Sequence, residues 1–174
     1  FWQSYLGGTK QGTIILRTAS GVSQQCTEKV VIDEVTLSQI NKYCQNHDIT
    51  LSTYVQAAWG NSLMELNGTE DVTFGYTMSG RSEELVDMEN MVGNFINTIP
   101  IRIRRLGEQG NDQVQQLQED NIQIQKYGYL SLGEIQQAAR LRHMAFDHFI
   151  TFQNMPLVEN KLGIKAIGGH NKSI

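Results

Sequence analysis

The sequence predicts an α/β domain, a mixed sheet covered by helices. Two segments, residues 72–78 and 99–103, alternate apolar with other side chains, and this period of two is typical of strands that place one face in a core. Apolar residues recur at helical spacing between residues 36 and 66 and again between 112 and 139. Because strands and helices alternate along the chain, they indicate a sheet layered with helices.

Composition and charge are ordinary for one globular domain, which we expect over residues 1–174. The net charge of −4 gives no sign of a nucleic-acid surface, and no apolar run approaches the roughly 20 residues that span a bilayer. Cys26 and Cys44 lack a Cys-x-x-Cys spacing, so neither a disulfide nor a zinc framework is expected, and a reducing cytoplasm is the expected location. A start at Phe1 without Met predicts a piece of a longer polypeptide.

The N-terminal part is predicted to contain a short helix, a connector and one strand. Residues 1–6 read as a helix end that the glycines at 7–8 stop. Residues 9–24, rich in Thr, Ser, Gly and Gln, read as an irregular connector. Residues 28–33 are predicted to form a strand, because positions 30–32 are all β-branched.

Two amphipathic helices are predicted next. Thr36 and Gln39 have the spacing of a capping box, in which each side chain satisfies the other's free backbone N–H. A second helix is predicted over residues 51–66, ended by Gly68 in the left-handed conformation. Each helix has one predicted inward face, formed by Leu37, Ile40 and Cys44 in the first and by Val55, Ala58, Trp59, Leu63 and Leu66 in the second.

The two strong strands enclose a long polar segment, residues 79–96, that shows no clear period. Loops of that length inside a compact domain are uncommon and usually functional. A loop held between two buried strands is also a common way to present a site. We therefore expect the functional site in this segment.

Further helices follow the second strong strand. A Gln-rich helix is predicted from Asp112, and Ser131 with Glu134 has the spacing of a second capping box, opening a short helix to about residue 139. A weak strand candidate lies at residues 164–167. The predicted inward side chains of the Gln-rich helix are Val114, Leu117 and Ile124.

The histidines do not suggest a catalytic or metal site. Residues 147–153 are predicted to form a strand, and neighbours in a strand point to opposite faces, so Asp147 and His148 are not expected to pair. His148 then reads as a plain sheet residue, and His47 and His143 as solvated. No His-Glu-x-x-His spacing occurs, so no metal site is expected.

The polar residues around the long segment leave two interpretations open. Ser79 and Arg81 belong either to a turn that holds a polar substrate or to an ordinary turn, and Asn97 before a strand can be a structural turn residue. Arg102 and Arg104 point away from the isoleucine face, where a solvated sheet face is the simpler interpretation. No complete set of nucleophile, base and oxyanion donors is present, so the chain does not look like a self-sufficient enzyme.

Residues 92–98 read Val-Gly-Asn-Phe-Ile-Asn-Thr and are followed by Arg102. They closely resemble the motif Ile/Val-Gly-x-Phe-Val-Asn-Thr-x-x-x-Arg of the condensation domains of non-ribosomal peptide synthetases, with one Val-to-Ile exchange. Residues 71–81 resemble the strand that leads into a Ser-Gly-Arg turn in that family, and residues 1–6 are similar to the helix that joins its two halves. Similarity at 57–59, 131–136 and 146–156 extends the resemblance over essentially the whole chain.

The resemblance implies a chloramphenicol-acetyltransferase-like fold, in which two lobes form a V around a channel. The family's His-His-x-x-x-Asp-Gly motif, which holds the candidate general base, belongs to the N-terminal lobe, and no His-His pair occurs in these 174 residues. The chain is therefore expected to be the C-terminal lobe, truncated at both ends and inactive alone. Such a piece is predicted to expose apolar surface and open sheet edges.

In the intact enzyme, the resemblance implies amide-bond formation in antibiotic or other secondary-metabolite synthesis, by attack of an aminoacyl thioester amine on an upstream peptidyl thioester. The expected partners are peptidyl and aminoacyl carrier proteins with phosphopantetheine arms, the N-terminal lobe and a neighbouring adenylation domain; no cofactor is expected to bind directly. The resemblance implies substrate positioning by Ser79, Arg81, Asn97 and Thr98, and structural roles in the motif for Gly93, Phe95 and Arg102.

Three other functions remain open. The chain can be half of an epimerization domain, which has the same fold but inverts an α-carbon, although the Gly-x-Phe-x-Asn-Thr motif disfavours it. It can be a stand-alone module that docks carrier proteins. A two-lobe acetyltransferase of another kind is the weakest alternative, because no His-x-x-x-Asp-Gly run is present.

Overall fold

The computed structural model describes residues 1–9, 13, 15, 27–80, 87, 90–105, 110–141 and 146–153. The predicted strand at 164–167 and most of the predicted connector lie outside the described residues. The elements in chain order are α1 (Trp2–Tyr5), α2 (Glu34–Asn46), α3 (Leu51–Asn67), β1 (Asp71–Met78), β2 (Asn97–Arg104), α4 (Gly110–Tyr127), α5 (Leu132–Ala138) and β3 (Phe149–Thr151).

Among the described residues, the sheet has three strands in the order β2-β1-β3. β1 runs antiparallel to β2, with Phe74 opposite Ile101, and parallel to β3, with Tyr76 opposite Ile150. The helices pack on these strands and on one another. The mixed sheet covered by helices is therefore confirmed.

One face of β1 and β2 forms the centre of the core. Val72, Phe74 and Ile101 have no measurable exposure. Helix α3 lies close to this face because Gly60 has no side chain, and a Cβ at that position would overlap the side chain of Ile103. The period-two pattern of the sequence therefore identifies the buried strand face correctly.

The opposite face of the strands is covered as well. The ring of Phe146 and the Cβ atom of Phe149 lie beside Gly75, where an added Cβ would come within 2.7 Å of the Phe146 ring. Arg102 is only 7% exposed on this face, so the solvated-face interpretation is wrong for it. The same interpretation is correct for Arg104, which is exposed near the end of β2.

The predicted strand at residues 28–33 is wrong. These residues have no strand partner in the part of the chain that the structure describes, and Val30 and Val31 are 88% and 77% exposed. β-Branched residues fit an extended, half-buried surface, but a strand also requires a neighbouring strand to pair with. Composition alone cannot supply that neighbour.

Helix α2 begins before the predicted capping box. Asp33 is its N-cap, and the Asp33 carboxylate accepts the backbone N–H of Thr36 at 2.8 Å. Hydrogen bonds from Thr36 hold the pKa of Asp33 below its usual range. The box predicted at Thr36 and Gln39 is therefore wrong, because Asp caps a helix at least as well as Thr and stands one turn earlier.

The predicted inward face of the second helix is rotated from the observed one. Leu66 is 64% exposed, and Ala58 is exposed too. The buried positions of α3 are Thr53, Gln56, Ala57, Gly60, Leu63 and Met64. The Nδ2 group of Asn121 in α4 donates to Thr53 Oγ1 and Gln56 Oε1, both at 3.1 Å. Buried polar side chains of this kind are invisible to a search for apolar periodicity.

Several local predictions are confirmed. Gly68 caps α3 in the left-handed region with φ 59°. Ser131 and Glu134 form the predicted capping box at the start of α5, and the hydrogen bonds from Ser131 lower the pKa of Glu134. Leu117 and Ile124 of α4 are buried in the core. In these elements, a single hydrogen-bond pattern or one apolar stripe is enough to identify the structure.

Candidate functional site

The crossing segment, residues 79–96, connects the end of β1 to the start of β2. Its two ends lie close together, and we call this place the base of the segment. Residues 81–86, 88 and 89 within it lie outside the described residues, and so does the predicted site residue Arg81. Gly80 has a φ of +60°, and a Cβ added to it would overlap the carbonyl oxygen of Phe95. The two ends of the segment therefore cross in backbone contact, which glycine permits.

Gly80 is the site residue that sequence reasoning missed. Its neighbours Ser79 and Arg81 stand out in the sequence because they have polar side chains, whereas glycine has none. The available signal was a glycine directly after a strand, a position that often requires a positive φ or a close backbone approach. The function of Gly80 is therefore geometric, and Ser79 beside it is exposed.

The crossing segment exposes three apolar side chains, those of Met91, Val92 and Ile96, and we refer to these residues as its far part. Val92 is completely exposed, Ile96 is 68% exposed and Met91 is 42% exposed. Gly93 is exposed beside the half-buried Phe95, whose ring would lie 3.3 Å from an added Cβ. Contiguous uncovered apolar residues of this kind indicate a surface that faces another polypeptide or a ligand.

Asn97 fastens the end of the crossing segment to the turn between α4 and α5. Its Nδ2 group donates one hydrogen bond to the carbonyl oxygen of Gly128 and one to that of Leu130, both at 2.7 Å. Its Oδ1 atom accepts the backbone N–H of the half-buried Thr98 at 2.9 Å. Both amide hydrogens of Asn97 are thus used inside the protein.

The buried side chain of Arg102 is fully engaged. Its Nε and Nη2 atoms bind the two carboxylate oxygens of Asp71 at 2.9 and 2.7 Å, a bidentate ion pair. Its Nη1 atom donates to the carbonyl oxygens of Tyr5 at 3.1 Å and Gly7 at 2.7 Å. Charge-assisted, bidentate contacts are the strongest class of hydrogen bond in proteins. Arg102 therefore holds β1, β2 and the end of α1 together.

The motif residues thus form one structural unit, with Asn97 and Arg102 as internal fasteners and an exposed segment between two strands. A family model described as Condensation domain matches residues 1–170. The chain belongs to the condensation domain family. The expected resemblance to condensation domains of non-ribosomal peptide synthetases is confirmed.

Two curated relatives that the chain resembles in sequence are named as peptide-antibiotic synthases. The chain is 38% identical over 159 residues to bacitracin synthase 3 of Bacillus licheniformis, a match that covers 88% of the chain and 2% of the relative. It is 31% identical over 163 residues to tyrocidine synthase 2 of Brevibacillus parabrevis, covering 91% of the chain and 4% of the relative. The chain therefore spans only a few per cent of these relatives.

A solved structure shares the fold. It is the first condensation domain of the calcium-dependent antibiotic synthetase in complex with a substrate analogue, with a TM-score of 0.66 and 15% sequence identity. The match covers 89% of the chain and 35% of that domain. The chain thus has the fold of about one third of a solved condensation domain.

Asp147 and His148 form a pair outside the family motif, contrary to the prediction. His148 Nδ1 lies 2.8 Å from Asp147 Oδ1, and the Asp147 carboxylate also accepts the backbone N–H of Ile15 at 3.0 Å. The strand rule fails because β3 begins only at Phe149, so the two residues precede the strand and do not alternate. The pair ties the residue 15 backbone to the start of β3.

The remaining histidines and acids suggest no metal site. Among the described residues, no group of three or more His, Cys, Asp or Glu side chains could hold a metal ion. His47 is half-buried and stacks on Tyr43, so the prediction that it is solvated is wrong; His143 lies outside the described residues.

None of the helices in the described part of the chain has the length and apolar character to span a membrane.

Proposed function

We propose that the chain is the C-terminal lobe of a condensation domain and forms one wall of the channel in which an amide bond is made. The observation that carries the proposal is the crossing segment. Its base is fastened by Gly80 and Asn97, whereas its far part exposes Val92 and Ile96 to solvent. A segment fastened on one side and uncovered on the other fits a wall that a companion lobe completes.

The reaction needs a group that this chain does not carry. A general base must lie within hydrogen-bond reach of the attacking amine. In the proposed assembly, the N-terminal lobe supplies that base from its His-His-x-x-x-Asp-Gly motif. The present lobe holds the two thioester substrates in orientation, and orientation alone can account for a large part of a rate enhancement.

The positions of the described site residues support their proposed roles. Ser79 and Arg81 line the channel near the acceptor amine, and the exposure of Ser79 just after β1 supports this role. Asn97 and Thr98 act on the substrate by holding the wall in place, since both amide hydrogens of Asn97 are bonded internally. Gly93, Phe95 and Arg102 keep the shape of the segment.

The proposed partners are two carrier proteins, whose phosphopantetheine arms enter the channel from opposite ends, and a neighbouring adenylation domain. The arms deliver the peptidyl and the aminoacyl thioester, so the lobe needs no cofactor of its own. The exposed apolar residues of the crossing segment then face the companion lobe and the channel. Burial of such residues in the complete domain would remove an otherwise unfavourable apolar surface.

A two-lobe graft tests the proposal. In this graft, residues 1–174 replace the matching segment of a condensation domain in bacitracin synthase 3, the 38% identical relative. We expect the graft to form an amide between carrier-bound donor and acceptor, and the chain alone to form none. The unmodified domain is the positive control, and a cooperative unfolding transition confirms that the graft is folded.

The other outcomes each contradict the proposal. Turnover by the chain alone would show that the base lies within these residues. A folded graft that inverts an α-carbon but makes no amide would identify half of an epimerization domain. A folded graft without either activity, together with tight saturable binding of a pantetheinylated carrier protein to the chain alone, would identify a docking module.

A further inference from the structure

The outer edge of β2 is closed in an unusual way at Arg102. Because Arg102 is opposite Thr73 in a pair that does not exchange hydrogen bonds, its backbone N–H and C=O point away from β1. The Tyr5 hydroxyl accepts that N–H at 2.8 Å and donates to that C=O at 3.2 Å. One hydroxyl group therefore occupies the place of a neighbouring strand.

The next outward positions of β2 are closed as well. Pro100 has no N–H, and the N–H of Thr98 is bonded to Asn97 Oδ1. Three successive outward positions, 98, 100 and 102, thus offer no free donor to another strand. The predicted open edge therefore has no free N–H donor at these positions.

The contact between Tyr5 and Arg102 is reciprocal. The Arg102 guanidinium binds the carbonyl oxygens of Tyr5 and Gly7, at the end of α1, while the Tyr5 hydroxyl binds the Arg102 backbone. Burial raises the pKa of Tyr5, so the hydroxyl stays protonated and able to donate. On the other side of α1, Trp2 Nε1 donates to the carbonyl oxygen of Tyr127 at 3.1 Å.

We infer that Tyr5, Arg102 and Asp71 form a clamp whose function is positional. Arg102 lies on the same strand as Asn97, which fastens the crossing segment. Strand β2 therefore fixes the position of α1 relative to the crossing segment. The inference rests on the proposed function, in which the companion lobe is joined ahead of residue 1. The clamp then sets the angle between that lobe and the channel wall, and Arg102 is a positioning residue.

Hydrogen exchange of the chain itself tests the clamp without any assumption about activity. Tyr5→Phe removes only the hydroxyl, and Tyr129→Phe makes the same change at a side chain that is 77% exposed. We expect Tyr5→Phe to speed exchange of the bonded amides of Ser4, Tyr5 and Leu6 about tenfold and to leave those of β1 unchanged. Equal exchange in the two variants would overturn the clamp.

The two-lobe graft tests the positional role. Arg102→Lys keeps the charge but loses the bidentate fork, and Arg105→Lys is the control at an exposed arginine. With one spin label on the companion lobe and one at exposed Glu65 of α3, we expect Arg102→Lys to broaden the distance distribution and to lower kcat several-fold, with carrier KM unchanged. Arg105→Lys should change neither.

The failures of the two ideas are distinguishable. A wild-type graft that forms no amide contradicts the proposed function, whereas the exchange experiment still reports on the clamp. An active wild-type graft whose Arg102→Lys variant loses thermal stability but keeps the narrow distance distribution and the wild-type kcat would overturn the positional role. Arg102 would then be a stabilising residue only.

Discussion

The base of the crossing segment and its far part differ in how their side chains are satisfied: polar groups are paired at the base, whereas apolar side chains are exposed in the far part. At the base and along the two strands that support it, Asn97, Arg102 and Asp71 have their polar groups matched with partners inside the protein. In the far part, Val92 and Ile96 lie uncovered in solvent. We therefore expect the paired polar groups to contribute to the stability of this chain and the exposed side chains to contribute little.

The difference separates what the motif does for the fold from what it does for function. A buried polar group is costly unless it is paired, so paired groups at the base make the structure sensitive to substitution there. An exposed apolar side chain can be replaced at little cost in the lone chain. Substitutions that destabilise the chain should therefore cluster at the base, and substitutions in the far part should affect only the complete domain.

The largest loss of stability is expected for Asp71→Asn. The change leaves the Arg102 guanidinium, whose side chain is 5% exposed, without its anion. Because the Asp71 side chain is 35% exposed, water screens part of the pair, and we expect a loss of about 2–3 kcal/mol in the free energy of unfolding. Urea denaturation measures this loss, with Glu119→Gln at an exposed position of α4 as the control. An equal, small effect in both variants would place Arg102 in solvent.

Gly80→Ala should rank next. It forces a side chain into the left-handed region, which costs about 1–2 kcal/mol, and drives a methyl group into the Phe95 carbonyl oxygen. Gly68→Ala is the matched control, since Gly68 also has a positive φ but no atom within 4 Å of an added Cβ. We expect thermal unfolding to show a greater loss for Gly80→Ala than for Gly68→Ala. Equal losses would mean that the two ends of the crossing segment do not meet.

Asn97→Ala should have an intermediate effect. It removes the donors to the Gly128 and Leu130 carbonyl oxygens, and two such bonds contribute about 1–3 kcal/mol to the free energy of unfolding. The control is Asn94→Ala, which removes one exposed bond to the backbone of Ile96. If urea denaturation gave the same small change for both variants, Asn97 would not fasten the α4–α5 turn.

Val92→Ser should have the smallest effect on stability, within about 0.5 kcal/mol, because the side chain is fully exposed in the lone chain. In the two-lobe graft, we expect the same change to slow amide formation several-fold. Val35→Ser replaces a valine that is 68% exposed outside the crossing segment and serves as the control. A graft unaffected by Val92→Ser would remove Val92 from the proposed wall.

The sequence predicts the sheet and its crossing segment well because both depend on nearest-neighbour patterns. The alternation in β1 and β2 identifies the buried face, and the capping box of Ser131 and Glu134 identifies the start of α5. Each signal is complete within a few residues. No knowledge of a distant partner is needed.

Several of the failures involve partners that are distant in sequence. The strand at 28–33 has no neighbour to pair with among the described residues, and the polar Gln56 is buried because Asn121 of α4 lies beside it. Arg102 reads as solvated until Asp71 and the end of α1 are in place. Whether these residues are buried or paired depends on tertiary hydrogen bonds, and a local sequence pattern gives no information about such bonds.

Oxidation of Met91 tests the central claim most directly, namely that the crossing segment faces a companion lobe. Met91 is 42% exposed in the lone chain, whereas Met64 is 2% exposed and serves as the internal reference. Hydroxyl-radical labelling of the lone chain and of the two-lobe graft should show Met91 oxidised several-fold more slowly in the graft, with Met64 slow in both. Equal labelling of Met91 in the lone chain and in a folded graft would contradict the account.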